Sequence, residues 1–204
     1  MAAFTASRLL QPVEAYTGQT ITKAAVQRLA RRPNGLQTLH SQSLPPLPKS
    51  HHQLKHHPFG PQFLQAEKDH LQSHTEKGSW TEVDKVGLQG HQILDYMWVY
   101  TYKFNKDGTF KTCKARIVAR GDQQKPTAQD TYAAILAARS FRIVMAIAAR
   151  FNLELTQYDA VNAFVNARLE DTVYMRMPTG YRSPGKILRL NKALYGLRQS
   201  PLLW

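Results

Sequence analysis

Apolar positions along the chain repeat with two different periods, and the switches between them outline the elements. Over 62–74, Phe63, Leu64, Ala66 and Leu71 recur at helical spacing, which predicts an amphipathic helix. Residues 75–79 break that pattern, with Gly78 as a stop, and Trp80 and Val83 return the chain to the core. The period then shortens. Residues 96–104 are rich in aromatic and β-branched side chains, and 109–119 read as a second strand. Between them Asn105-Lys106-Asp107-Gly108 predicts a tight hairpin turn. Residues 127–138 form a connection without a clear pattern. Ser140 then predicts an N-cap for a helix running to about Arg150, with Phe141, Val144, Ile147, Ala148 and Phe151 as its buried face. A short alternating strand over 153–158 ends at Asp159, and the first turn of another helix holds Phe164. Strands follow over 172–177 and 187–190, separated by a Pro- and Gly-rich loop at 178–185. From Asn191 onward the chain reads as a turn or helix.

The first 57 residues lack such periodicity. Their single acid, Glu14, faces seven Lys and Arg side chains: Arg8, Lys23, Arg28, Arg31, Arg32, Lys49 and Lys55. This composition predicts a disordered basic segment over 1–57, because too little apolar surface is present to offset the entropy of ordering. One short helix over 20–31 is compatible with it, and Leu44-Pro-Pro-Leu-Pro-Lys49 favours an extended polyproline-type linker. His51, His52, His56 and His57 could bind zinc, but no cysteine or acid stands beside them, and a solvated linker is the preferred reading. An Arg-rich, acid-poor start also resembles an organelle transit peptide. That reading is secondary, since the basic character runs on through the proline linker.

Composition sharpens the picture in three ways. The chain of 204 residues carries 27 Lys and Arg against 14 Asp and Glu, a net charge of +13. Such an excess attracts polyanions, nucleic acid above all, although a solvated basic surface is the simpler alternative. The one cysteine, Cys113, excludes an intrachain disulfide and a cysteine-rich zinc site, and fits an intracellular setting, cytoplasm or nucleus left open. No apolar run approaches a membrane span.

Two patches carry candidate chemistry. On the strand over 109–119, a period of two puts Lys114 and Arg116 on one face with Val118 and Arg120, a surface that could face phosphate or simply solvent. Asp159 at a strand end could hold a cation, with Phe164 shaping a pocket beside it; turn formation or helix capping is the structural alternative for the same aspartate.

Four stretches, in order and spacing, resemble the reverse transcriptase domain of Ty1/copia-type LTR retrotransposons. The first runs from Ala66 and Glu67 through Leu71 to Trp80-Thr-Glu-Val83. The second is Lys114-Ala-Arg-Ile-Val-Ala-Arg-Gly121 with Gln124 beyond. The third is Gln157-Tyr-Asp-Ala-Val-Asn-Ala-Phe164, followed by Val173-Tyr-Met-Arg-Met-Pro178, Gly180 and Tyr181. The fourth is Leu190-Asn-Lys-Ala-Leu-Tyr-Gly-Leu-Arg-Gln-Ser-Pro201. The resemblance covers about 58–204, and in that family the preceding segment is a variable linker.

The resemblance implies an α+β fold: right-hand polymerase fingers and a partial palm, preceded by the disordered basic segment. It implies that Asp159 is the first metal-binding aspartate of a two-metal nucleotidyl transfer using Mg²⁺ or Mn²⁺, with the Ala160 carbonyl as a further ligand. Phe164 then matches the aromatic under the sugar that disfavours a 2′-hydroxyl. Lys114 and Arg116 neutralise the incoming triphosphate, with the alignment ambiguous by one residue. Tyr195, Gly196 and Gln199 contact template and nucleotide. The implied partners are an RNA template, a DNA primer and deoxynucleoside triphosphates.

Some positions depart from the family pattern. No Tyr-x-Asp-Asp sequence occurs among the 204 residues. Ala167 stands where a glycine is usual and could strain a turn preferring positive φ. Val165 replaces a larger aliphatic, and Tyr132-Ala-Ala-Ile135 varies from the commoner Phe-Ala-Pro form. The apolar end at Leu202-Leu203-Trp204 suggests a fragment cut inside the fold, which would expose an unpaired strand edge. Asp130, Glu170 and Asp171 are near in sequence, but nothing in the pattern places them beside Asp159. One carboxylate holds Mg²⁺ weakly, so the chain as given is expected not to polymerise DNA. The competing reading is a non-catalytic, basic nucleic-acid-binding remnant, and a third is an unrelated mitochondrial basic protein.

Overall fold

The computed structural model describes residues 20–88, 90–125, 138–156, 158–160 and 162–204. Its helices are α1 (Lys23–Ala30), α2 (Gly60–Glu76), α3 (Ala138–Arg150) and the one-turn α4 (Ser200–Leu203). Its strands are β1 (Trp80–Asp84), β2 (Ile93–Leu94), β3 (Tyr96–Phe104), β4 (Phe110–Ala119), β5 (Arg168–Met175) and β6 (Lys186–Lys192). They form a mixed α/β arrangement of two sheets: an antiparallel β3–β4 hairpin, and a four-stranded sheet in the order β1-β6-β5-β2.

The hairpin stands as the pattern predicts. Tyr96 pairs with Ala119 and Phe104 with Phe110, so β3 has the predicted bounds and β4 begins one residue later than expected. The Asp107 carboxylate accepts from the Thr109 backbone N–H at 2.9 Å, which closes the turn. Helix α2 lies against β4. Together they build a core in which Phe63 meets Tyr100 at 5.2 Å between ring centroids and Phe59 meets Phe110 at 5.1 Å. Each such aromatic pair adds roughly 0.5–1.5 kcal/mol beyond its buried area. Wholly buried in the same core is Glu67. Its carboxylate accepts from the Tyr100 hydroxyl at 2.5 Å and the Tyr181 hydroxyl at 3.1 Å, and faces His51 Nδ1 at 2.8 Å. A buried carboxylate is tolerable only with such partners.

Several expectations are corrected. Residues 20–57 are not a disordered segment. Thr22 caps α1, Val26 and Leu54 are 1% and 2% exposed, and the Leu39 carbonyl accepts from Phe110 N at 2.7 Å. Composition averages over the whole segment, whereas folding needs only that a few apolar side chains meet complementary gaps; Val26 and Leu54 do so. The His cluster is docked in part rather than wholly solvated: His51 faces Glu67, and His57 Nε2 donates to the Pro46 carbonyl at 2.9 Å, while His52 and His56 are exposed. Residues 1–19 of that expectation lie outside the described residues.

The apolar face of α3 is not buried. Ala148 is, but Phe141, Val144, Ile147 and Phe151 are 47–68% exposed, because no described element lies over them. Ser140 sits inside α3 rather than capping it. No strand runs through the described residues of 153–158: they are exposed and unpaired by any described ladder, and a strand needs a neighbour for its backbone groups. The turn after Asp159 is a 3₁₀ segment, Ala163–Asn166, entered from Asn162 at φ +53°, not the start of an α-helix. Ala167 lies at φ −93°, so no left-handed strain falls on it; Asn162 carries the positive φ instead. The connection over 127–137 and the variant stretch at 132–135 lie outside the described residues.

Candidate functional site

Alternation along β4 sets up the site. Cys113, Ala115, Ile117 and Ala119 point into the core, which leaves Lys114, Arg116 and Val118 half-exposed on the opposite face. Burial holds the Lys114 ammonium below the ordinary lysine range, and the neighbouring charges of Arg116 and Lys103 push the same way. Asp159 opposes that shift, so its carboxylate lies within electrostatic reach of Lys114. Asp159 and Ala160 are both exposed.

The Arg116 guanidinium stands 6.0 Å from the Tyr195 ring centroid. The Tyr195 ring also meets Phe164 edge to face at 4.7 Å. Phe164, Tyr195 and Arg116 therefore form one continuous contact. It is fixed from behind: the Ala167 carbonyl accepts from Ala193 N at 2.9 Å, and the Tyr195 carbonyl accepts from Ala119 N at 2.8 Å.

The segment after Tyr195 needs glycine. Gly196 sits at φ +93°, where a Cβ would come within 2.1 Å of the Ala119 carbonyl oxygen, and a Cβ on Gly121 would come within 2.0 Å of the Gly196 oxygen. Two backbones thus touch where side chains would hold them apart. Gln124 spans the junction: its amide donates to Gln199 Oε1 at 3.0 Å, and its own Oε1 accepts from Arg198 N at 2.8 Å. Arg198 Nε donates to the Gly121 carbonyl at 3.1 Å.

Of the residues singled out from sequence, Lys114, Arg116, Phe164, Tyr195, Gly196 and Gln199 fall in this one neighbourhood, with Asp159 at its edge. Sequence reasoning missed the support beneath it. His70 and His74 on α2 are buried, with ring nitrogens 3.1 Å apart, and His74 Nδ1 lies 3.0 Å from Ser79 Oγ. Burial pushes His70 down to about 3, helped by the charges of His74, Arg116 and Lys114, so it is neutral at neutral pH. Burial likewise pushes His74 down to about 4. Their i, i+4 spacing on a helix marks a shared face but not what that face meets.

The fit to a metal pair is incomplete. Among the described residues, no group of three or more His, Cys, Asp or Glu side chains is arranged to hold a metal ion. Mg²⁺ demands six oxygen ligands in near-ideal geometry, and Asp159 with the Ala160 carbonyl could offer only part of such a set. Among the described residues no helix is long and apolar enough to cross a membrane.

Comparison with known proteins adds an independent line. A family model described as "Reverse transcriptase (RNA-dependent DNA polymerase)" matches residues 78–204. The chain is 38% identical over 117 residues to the "Retrovirus-related Pol polyprotein from transposon RE2" of Arabidopsis thaliana, which is 55% of this chain and 8% of that protein. It is 32% identical over 164 residues to the corresponding polyprotein from transposon TNT 1-94 of Nicotiana tabacum, which is 77% of this chain and 12% of that one. It is also 32% identical over 123 residues to the "Truncated transposon Ty1-A Gag-Pol polyprotein" of Saccharomyces cerevisiae, 59% of this chain and 10% of that one. The chain thus spans about a tenth of the length of these relatives. No solved structure matches it.

Proposed function

The chain belongs to the reverse transcriptase (RNA-dependent DNA polymerase) family, and from that premise we propose that it is the fingers and partial palm of an RNA-directed DNA polymerase of a copia-type retrotransposon. The observation that carries this reading is the single contact of Arg116, Tyr195 and Phe164, with Lys114 beside it and Asp159 in electrostatic reach. In this reading the β3–β4 hairpin is part of the fingers, and the segment bearing Asp159 belongs to the palm. Lys114 and Arg116 bind the triphosphate of an incoming deoxynucleotide as paired cations. Phe164 lies under the sugar and excludes a 2′-hydroxyl by bulk. Tyr195 keeps Phe164 and Arg116 in place, while Gly196 and Gln199 meet the template and the nucleotide.

Asp159 would supply one carboxylate toward the Mg²⁺ or Mn²⁺ of the complete polymerase, where the metal stabilises charge on the transferring phosphate. The 204 residues contain no Tyr-x-Asp-Asp sequence, so by themselves they do not extend a primer. Primer extension on an RNA template, with Mg²⁺ and separately Mn²⁺, tests this directly. No product is expected. Template-dependent product that disappears in Asp159→Ala would overturn the inactivity and uphold the site.

The exposed setting of Asp159, which forms no ion pair among the described residues, also favours a second reading, a basic nucleic-acid-binding remnant without chemistry. Salt-sensitive RNA binding that is indifferent to Phe164→Ala and Arg116→Ala would select it.

A further inference from the structure

Among the described residues the two sheets end in four strand edges, and the edges differ. On β4, the outward N–H groups of Phe110 and Ala119 donate to the Leu39 and Tyr195 carbonyls at 2.7 and 2.8 Å. β2 is two residues long, and β1 carries the carboxylates Glu82 and Asp84 within five residues. Short or charged edges are how natural sheets avoid pairing with other chains. β3 has neither protection. Its nine residues include no Pro or Gly and one charge, Lys103, near the end. Aromatic and β-branched side chains at this density make a strand that pairs readily.

The backbone of β3 is unpaired along one side. Arg120 N donates to the Asp95 carbonyl, and Tyr96 stands opposite Ala119, so Met97, Val99, Thr101 and Lys103 are the residues that bond across to β4. Tyr96, Trp98, Tyr100 and Tyr102 turn their N–H and C=O groups the other way. Among the described residues no backbone partner meets them. The rings of Trp98, Tyr100 and Tyr102 pack on His70, Phe63 and Phe59, so they cover one face of the hairpin and leave the edge to backbone. Trp98 and Tyr100 are only 6% and 4% exposed, so water serves their outward groups poorly. An unpaired backbone group away from water is costly. A strand laid alongside satisfies the whole row at once.

We propose that a second copy of this chain pairs its β3 with this edge, antiparallel about a two-fold axis at Tyr100. That axis matches the strand to itself over its full length. Tyr96 stands opposite the partner's Phe104, Trp98 opposite the partner's Tyr102, and Tyr100 opposite the partner's Tyr100, so the outward groups of the two strands bond each other. On the other face Met97 meets the partner's Lys103, and Val99 meets the partner's Thr101. No like charges meet across the axis, and the aliphatic stem of Lys103 lies along Met97, which is 48% exposed. A strand edge run antiparallel to itself is self-complementary, as a two-fold interface requires. The hairpin, marginal as a two-stranded ribbon, becomes half of a four-stranded sheet in the order β4-β3-β3-β4. Lys114 and Arg116 stand opposite Thr101 and Val99, so the dimer sets both candidate surfaces on one face. The inference goes beyond the proposed function and uses none of its ligands.

The test uses the whole chain, treated with nuclease to remove bridging nucleic acid, in sedimentation velocity over a concentration series. A closed dimer is expected. Two chains of net charge +13 repel each other, so the dimer fraction should rise with salt, the reverse of association through nucleic acid. Tyr102→Pro and Tyr102→Ala remove the same ring, but only proline also removes the outward N–H, and it spares the bonds to β4. At matched circular dichroism the proline variant should dimerise about tenfold more weakly than the alanine variant. A second test uses exposed positions. In a Cys113→Ala background, Met97→Cys/Lys103→Cys should oxidise to a covalent dimer, because facing Cα atoms at 97 and 103 come within about 4.5 Å, inside disulfide reach. Within one chain they lie about 20 Å apart and cannot bridge. Met97→Cys/Thr101→Cys, out of register, should stay monomeric on a denaturing gel. The inference is overturned by monomer at every concentration, by equal dimerisation of the proline and alanine variants, by open-ended assemblies, or by crosslinking at 97/101 instead of 97/103. None of these outcomes bears on primer extension or RNA binding, so the proposed function would stand or fall separately.

Discussion

The β4 neighbourhood and Asp159 were both expected to contribute to the site, and the two regions, β4 with its partners and the stretch from α3 to Asp159, are built in opposite ways. Around β4, the positions of the candidate side chains are over-determined. Arg116 sits on a paired strand, its aromatic neighbour Tyr195 is tied by backbone to Ala119, and Gly121 and Gly196 are in backbone contact. Around Asp159 almost nothing plays that part. The apolar face of α3 is exposed, and the carboxylate hangs on a segment without ladder bonds. The surface proposed to face the nucleotide is thus fully assembled while the carboxylate proposed to face the metal is not. Precision in a site comes from the packing and hydrogen bonds behind it, and the two regions differ there rather than in the side chains they display.

The contrast can be broken hardest at Glu67, which supports the first region. Glu67→Ala would leave two tyrosine hydroxyls and His51 without their acceptor inside the core. A loss of about 3–5 kcal/mol in urea unfolding is expected, enough to unfold a marginal domain. Next in size is Gly196→Ala, which combines positive φ with a clash against the Ala119 carbonyl. It should cost about 2–4 kcal/mol, against about 1 for Gly90→Ala, where φ is +89° but the space is open.

Acid should loosen the same region. His70 and His74 have folded pKa values of about 3 and about 4, below the unfolded 6.5. Between those limits the unfolded chain binds protons that the folded chain refuses. Stability is therefore complete above about pH 6.5 and falls as pH drops toward 3–4. Tryptophan fluorescence against pH should show the loss, and His70→Gln should flatten it.

A smaller effect separates function from support. Arg116→Ala should weaken binding of a fluorescent deoxynucleoside triphosphate about tenfold, about 1.4 kcal/mol, with little change in melting. The smallest effect is expected on α3. Phe151→Ser should change stability by no more than about 0.5 kcal/mol, whereas truncating a buried phenylalanine costs about 3–5. A large loss there would mean that the α3 face is covered after all, and the comparison would fail.

Legibility in the sequence followed the range of the interactions. The hairpin was readable because Asp107-Gly108 and the alternation on both sides act over a few residues. The face of β4 bearing Lys114 and Arg116 came from the same alternation. The packing of residues 20–57 was not readable, since it depends on where Val26 and Leu54 land and not on how many apolar residues the segment has. The strand over 153–158 was wrongly expected because alternation records a capacity to pair, and no described neighbour takes it up. His70, His74 and the Glu67 cluster carried no signal, since i, i+4 spacing does not say what a helix face will meet.

By itself the sequence determined what local chemistry can determine: the periods of helix and strand, the turn, the charge balance, and the ordered motifs that mark a reverse transcriptase. Only the tertiary structure decided which of these meet. It brought Phe164 to Tyr195 and Arg116, buried Glu67 among side chains up to 114 residues away, and left Asp159 exposed. The reason is physical. Periodicity and turn propensity act between neighbours along the chain, but burial and hydrogen-bond satisfaction depend on segments that are far apart in sequence and close only after folding.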